Sequence, residues 1–270
     1  MPTATPDLGS RYATAVPLSS GATAEVYRAY DARLDRPVAL KLLRNDDPAL
    51  VARLLREARA QARVQHPGIC EIYEIGTLNG RPFIAMALVD GVDLHAAAPD
   101  LRTAEKVEIV RLAAEAIHAA HGVGLVHRDL KPANIMIARD AAGAPAPQIV
   151  DFGLVRDAQT HTMTEPGQWL GTPAFMAPEQ ARGERDAEGP PSDVYALGAT
   201  LYFLLAGRPP FDRASAHETL DAVLHARPTP LRQHAPAVAP DLARIVRTCL
   251  RKDPADRYAT ADALARDLAR

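Results

Sequence analysis

The sequence predicts an α+β fold in two lobes: a small antiparallel β-sheet lobe with one helix, about residues 11–87, then a larger, mainly α-helical lobe, residues 88–270. Three observations predict it. Strand-length runs bounded by Gly, Asp and Pro crowd the first third of the chain. An Asn79-Gly80 pair joins two of them as a tight hairpin would. Helical apolar spacing dominates the remaining two thirds. A chain of 270 residues accommodates one large domain or two such bodies.

Taken in order, Met1–Ser10 reads as a flexible lead without the basic and apolar regions of a secretory signal. Tyr12–Leu18, Glu25–Tyr30 and Pro37–Leu43 are expected strands. Asp47 and Pro48 open an Arg/Ala/Leu-rich helix expected to run to about Gln65, where His66-Pro67-Gly68 opposes continuation. Glu71–Thr77 and Arg81–Leu88 form the expected hairpin. Thr103 is a good N-cap for a helix whose face is Val107, Val110, Ala114, Ile117 and His121. Ala141–Pro147 reads as an exposed loop. Ser192 to about Leu205 is apolar on nearly every side, so a buried helix is expected. Ser215–His225, Pro240–Leu250 and Thr260–Arg270 complete the helical pattern.

Hydrophobic residues at 47% and charged residues at 24% exclude a disordered chain. Lys plus Arg total 31 against 33 for Asp plus Glu, which argues against a nucleic-acid coat or a polybasic membrane binder. The longest apolar stretch, Val194–Gly207, falls short of the roughly 20 residues a membrane span needs. Cys70 and Cys249 cannot build a disulfide framework, so a reducing cytoplasm is expected.

Five short strings succeed one another in order: Val38-Ala39-Leu40-Lys41, the single Glu57, His127-Arg128-Asp129-Leu130-Lys131-Pro132-Ala133-Asn134, Asp151-Phe152-Gly153 and Ala177-Pro178-Glu179. Alone, Lys41 would be a surface strand lysine, Glu57 one more helix charge, and Asp129, Asn134 and Asp151 ordinary turn formers. Together, at this spacing and in this structural context, they are not coincidental. Over about residues 11–268 the chain resembles the eukaryotic-like (Hanks-type) serine/threonine protein kinases of bacteria.

The resemblance implies the bilobal protein-kinase fold and transfer of the ATP γ-phosphoryl group to Ser/Thr hydroxyls of proteins, with Mg²⁺ (Mn²⁺ as the alternative). Phosphoryl transfer needs positioned groups and compensating charge, which explains the residue types. Lys41 would contact the α- and β-phosphates, paired with Glu57. Asp129 would orient the acceptor hydroxyl or take its proton, Lys131 would neutralise charge on the γ-phosphate, and Asn134 and Asp151 would hold the metal through hard oxygens. Val26, Ala39 and Met136 would sandwich the adenine under Leu18; Met86 would be the gatekeeper, Ala87, Leu88 and Val89 the hinge, and Asp93 the ribose partner. Thr172 would bond Asp129 and Lys131 and shape the acceptor pocket, and Glu179 would pair with Arg257 as a structural link.

Two features depart from the family pattern. In the phosphate-covering loop Leu18-Ser19-Ser20-Gly21-Ala22-Thr23-Ala24-Glu25-Val26, only Gly21 survives of three glycines, which predicts weaker or slower nucleotide handling. Gln61 stands where an apolar residue is usual, in a stack with Ile72, His127 and Phe152 anchored by Asp193, and must find a partner or lose about 1–3 kcal/mol. Residues 151–179 would be the activation segment, with Thr164, then Thr162, as autophosphorylation candidates ahead of Thr160, answered by Arg128 and Arg156.

Expected partners are Ser/Thr-bearing proteins and the chain itself, with no nucleic acid and no membrane segment in this chain; a homodimer stays open. Location is expected to be cytoplasmic, or the cytosolic part of a longer anchored protein. The main rival is a pseudokinase or weakly active nucleotide-binding scaffold, motivated by Ser19, Ala24 and Gln61. A small-molecule phosphotransferase is disfavoured by the Gly171–Glu179 docking segment, and a purely structural domain leaves the catalytic set unexplained.

Overall fold

The computed structural model describes residues 11–21, 24–44, 48–140, 142–152 and 173–270. The chain divides into two units, residues 1–65 with 70–90, and residues 66–69 with 91–270.

Strand alternation builds the first unit. β1 (Tyr12–Ser20), β2 (Ala24–Asp31), β3 (Arg36–Leu43), β4 (Ile72–Leu78) and β5 (Arg81–Ala87) form one antiparallel sheet in the order β1-β2-β3-β5-β4. Cross-strand partners share a face, and successive residues alternate between faces. Tyr27 pairs with Leu40 and Leu40 with Ala85, while Leu42 pairs with Phe83. That face forms a core of Tyr12, Tyr27, Val38, Leu40, Leu42 and Phe83, with Tyr12 edge-on to Phe83 at 5.6 Å. Burying each large side chain contributes about 1.5–3 kcal/mol. The opposite parity carries Val26 opposite Lys41, and Ala39 opposite Met86. The β4–β5 turn has Asn79 at φ 49° and Gly80 at φ 79°, the left-handed pair that a two-residue hairpin of matching twist requires.

Helix α1 (Pro48–Gln61) ends four residues before the expected Gln65. Beyond Ala62 the amides fold back as turns, Arg63 N–H to Ala60 O and Val64 N–H to Gln61 O. Leu54, Ala58 and Gln61 are buried at helical spacing, so Glu57 lies on the same stripe, one turn from Gln61.

The second unit opens with β6 (Val92–Asp93) and α2 (Leu94–Ala97), then α3 (Thr103–Gly122) and the strands β7 (Ile135–Arg139) and β8 (Pro145–Ile149). These strands form a small sheet in the order β6-β7-β8. It was not legible as a sheet, because β6 has only two residues and gains its place by pairing Asp93 with Met136 far along the chain. The expected loop Ala141–Pro147 is shorter than predicted: Pro145 already pairs with Arg139 in β8. The N-cap of α3 is Arg102, not Thr103, because the Glu105 carboxylate reaches back to accept the Arg102 N–H at 2.9 Å.

Next come α4 (Pro178–Ala181), α5 (Pro190–Ala206), α6 (Ala216–His225), α7 (Leu231–His234), α8 (Pro240–Cys249) and α9 (Ala261–Leu268). Helix α5 is the buried axis of this unit and packs on α3, α8 and α9. Gly198 permits the α8 contact: a Cβ there would lie 2.2 Å from the Cβ of Cys249. Among the described residues, no helix is long and apolar enough to cross a membrane.

The expected Glu179–Arg257 pair is present, with both side chains 0% exposed. Arg257 donates to both Glu179 oxygens at 2.7 Å and to the carbonyls of Pro191, Arg251 and Lys252 at 2.9, 2.8 and 3.0 Å. Ser192 Oγ donates to Glu179 Oε1 at 2.7 Å. Burial alone would raise the Glu179 carboxyl, but the bonds from Arg257 and Ser192 outweigh it and hold it below the usual carboxylate range.

Candidate active site

The site residues of the second unit lie on the turn between α3 and β7 and just beyond β8. His127 to Leu130 cross under α5, whose Asp193 receives the His127 N–H on Oδ2 at 2.8 Å and the Arg128 N–H on Oδ1 at 2.9 Å. His121 Nε2 meets the same Oδ2 at 2.8 Å. The expected anchor at Asp193 is therefore present, and it grips backbone. His127 is fully buried, which pushes its imidazole below the ordinary value and keeps it neutral. Its Nε2 donates to Val150 O at 3.1 Å and its Nδ1 accepts from Asp129 N–H at 3.3 Å, while its ring packs 4.6 Å from Phe152. It is a packing and tethering residue.

On this frame Lys131 Nζ donates to Asp129 Oδ2 at 2.8 Å. Asn134 Nδ2 donates to Asp129 O at 2.7 Å and to Asp129 Oδ2 at 3.1 Å. Asp129, Lys131 and Asn134, read separately from the sequence, are thus one hydrogen-bonded group. Val150 N–H bonds Asn134 O at 3.0 Å, which places Asp151 one residue beyond a direct link to the same turn. Arg128 and Asp151 both adopt left-handed backbone, φ 63° and 55°. Such conformations cost about 1–3 kcal/mol each and persist where surrounding bonds over-determine them. With Asn134 Nδ2 committed to Asp129, its Oδ1 and the Asp151 carboxylate are the hard oxygens that could hold a cation such as Mg²⁺, which takes one or two protein ligands plus phosphates and waters.

Asp93 and Met136 face each other across β6–β7. Asp93 Oδ1 also accepts the Ala96 N–H at 2.9 Å, capping α2, so turn chemistry operates at the expected ribose position. Arg128 Nε lies 3.7 Å from Glu188. Thr160, Thr162, Thr164, Thr172, Arg156, Gly153 and Gly171 fall outside the described residues, as do Ala22 and Thr23 of the phosphate loop.

In the first unit the register gathers Val26, Ala39, Lys41 and Met86 on one sheet face, opposite the core. Lys41 is 4% exposed, which removes the reading as a surface lysine. Leu18 is exposed on β1. Gly21 N–H bonds Ala24 O at 2.9 Å. Ala87 ends β5 with its N–H bonded to Glu71 O at 2.8 Å and its carbonyl 3.4 Å from Cys70 Sγ. Leu88 and Val89 continue beyond the strand. Gln61 finds the partner it needs: Nε2 donates to Cys70 O at 2.9 Å with the side chain buried. Sequence reading missed Gln180, 8% exposed, whose amide bonds the catalytic turn; only its position after Ala177-Pro178-Glu179 could have drawn notice.

An antiparallel lobe carrying a buried strand lysine, and a helical lobe presenting Asp129, Lys131 and Asn134 as one cluster, define a protein kinase domain. The chain belongs to that family: the protein kinase domain model matches residues 12–268. It is 40% identical over 280 residues to serine/threonine-protein kinase PknB of Mycolicibacterium smegmatis, covering 97% of this chain and 43% of that protein. It is 37% identical over 268 residues to PknL of Mycobacterium tuberculosis, covering 97% and 65%. Among solved structures it resembles the PknI kinase domain of M. tuberculosis, TM-score 0.75 at 29% identity over 97% of this chain and 98% of that one. The chain thus spans less than half of PknB and about two thirds of PknL.

Proposed function

We propose that this chain is a serine/threonine protein kinase domain that moves the γ-phosphoryl group of ATP to hydroxyls of protein substrates. The observation that carries the reading is the Asp129 carboxylate, bound at Oδ2 by both Lys131 and Asn134. Two donors on one oxygen orient the carboxylate toward an acceptor hydroxyl, whose proton Asp129 positions or accepts. Lys131 brings a positive charge beside that hydroxyl, against charge developing on the transferred group. Asn134 and Asp151 would hold a divalent cation, Mg²⁺ in preference to Mn²⁺, which when bound neutralises phosphate charge. Lys41, buried on β3, would fix the α- and β-phosphates with Glu57 as its partner, and the face bearing Val26, Ala39 and Met86 would take the adenine. The satisfied Gln61 amide weighs against the inactive-scaffold rival.

The same reading extends to autophosphorylation at Thr164, then Thr162, with Arg128 as a guanidinium partner for the added charge. Ala133, exposed beside Lys131, supplies no carboxylate to select basic residues near the acceptor. In radiolabel transfer from ATP with Mg²⁺, the wild type should label itself and a Ser/Thr protein, and Asp129→Asn should lose activity by at least about 100-fold. Equal background from both would favour the scaffold. Peptide mapping after incubation then locates the phosphate, and an unmodified chain would refute the autophosphorylation scheme.

A further inference from the structure

The peptide joining Arg128 to Asp129 is held from two sides. Its amide-side neighbour, the Arg128 N–H, is taken by Asp193 Oδ1 from α5 at 2.9 Å. The carbonyl of that peptide, Arg128 O, accepts from Gln180 Nε2 on α4 at 2.8 Å. Arg128 sits at φ 63°, a conformation that needs such support. Gln180 is 8% exposed, and its own orientation is fixed because Oε1 accepts the Ala177 N–H at 3.1 Å. A side-chain amide has one acceptor end and one donor end, and here each has a single backbone task. The donor end sets the plane of the peptide on which Asp129 hangs; the acceptor end ties that plane to the start of α4.

Helix α4 comes directly after the turn Pro173–Phe175, the described end of the segment that began at Asp151. Phe175, Met176 and Gln180 line the same small recess as Arg128, Asp129 and Lys131. We infer that Gln180 is a positioning residue for phosphoryl transfer, fixing the direction of the Asp129 carboxylate and coupling it to the anchored end of the activation segment. This rests on the kinase reading above. Gln180 would touch neither nucleotide nor acceptor, so it acts on the chemical step through Asp129 and leaves nucleotide binding alone.

Two variants separate this role from simple capping of α4. Gln180→Leu removes both bonds. Gln180→Glu, assayed at a pH where its carboxylate is ionised, keeps an oxygen for the Ala177 N–H but presents only an acceptor to Arg128 O, so that bond is lost. Both should lower kcat by about 10- to 100-fold with KM for ATP within about twofold, since small misplacement of a catalytic group costs that much. Rates are normalised to folded protein by active-site nucleotide titration. Amide exchange of the peptide covering 126–131 should quicken in both variants with other segments unchanged. Wild-type kcat in Gln180→Glu, or a loss in Gln180→Leu that vanishes on normalisation, would overturn the inference. If the wild type itself transfers no phosphate, the kinase reading fails, and the exchange experiment alone decides Gln180: unchanged exchange refutes its hold on the turn.

Discussion

Replacing Arg257 by Met tests the physics of the second unit most sharply. Met matches the aliphatic stem of Arg but removes all the donors that now serve Glu179 and three backbone carbonyls. Breaking a buried pair by deleting one partner costs about 3–5 kcal/mol, because a charge is left uncompensated. Orphaned carbonyls add about 1–3 kcal/mol each where water cannot reach them. Against a total stability of roughly 5–15 kcal/mol, the single variant sits near the limit of folding. The double variant Glu179→Met with Arg257→Met removes the lone charge and should recover about half of the loss. Urea unfolding followed by far-UV circular dichroism reads both; with a slope near 3 kcal/mol per molar, a 5 kcal/mol loss moves the midpoint by about 1.7 M. The sign with pH is equally specific. In the wild type the Glu179 carboxyl is depressed, so its contribution is complete above its unfolded value of 4.5 and fades as pH falls through the lower folded value. Without Arg257, burial reverses the shift, so the variant's deficit should shrink between pH 7.5 and 5. A deficit equal at both pH values, or a double variant worse than the single, would refute the argument from uncompensated charge.

Other contacts carry three further expectations. Arg11→Met should destabilise the first unit by about 2 kcal/mol, since it strips paired bonds from the buried Asp31 and the half-buried Glu74, while Arg33 and Leu34 amides still serve Asp31; an unchanged urea midpoint would contradict this. Gln61→Glu should destabilise more than Gln61→Leu, because an ionised carboxylate cannot donate to Cys70 O, whereas Leu loses one bond worth about 1 kcal/mol but buries well; the reverse order in thermal melts would remove Gln61 from that role. Lys252 is lowered to about 8 by burial, then by Arg257 and Arg182, as its ammonium lies 4.3 Å over Phe211 and donates to Val223 O at the end of α6. The unfolded chain therefore binds the extra proton between pH 8 and 10, stability rises with pH across that window, and Lys252→Met should lose this rise; matching slopes for the two proteins would disprove it.

Much of the local structure was readable because it rests on local causes. The Asn79-Gly80 turn comes from two left-handed residues, and β2, β3 and β5 come from alternation whose pairing gathers Val26, Ala39, Lys41 and Met86 on one face. The start of α3 was misplaced because the Glu105 side chain settles it by reaching the Arg102 N–H, and the end of α1 because the Arg63 and Val64 amides turn back to Ala60 O and Gln61 O. Propensity sees neither. The small β6-β7-β8 sheet was invisible because a two-residue strand has no periodicity of its own.

The candidate site divides along the same line. The ordered motifs, through their resemblance to bacterial serine/threonine kinases, named Asp129, Lys131, Asn134, Asp151, Lys41 and Glu57, and the charge demands of phosphoryl transfer explain those residue types. What only the tertiary structure decided is how the Asp129 turn is held. Asp193 and Gln180, 64 and 51 positions beyond Asp129 by their numbering, grip the two sides of Arg128 and support its strained backbone from outside the turn. Hydrogen bonds are directional and short-ranged, so their partners exist only once α4 and α5 have packed; chemistry can be spelled along a chain, but its aim is set by contacts between distant parts of it.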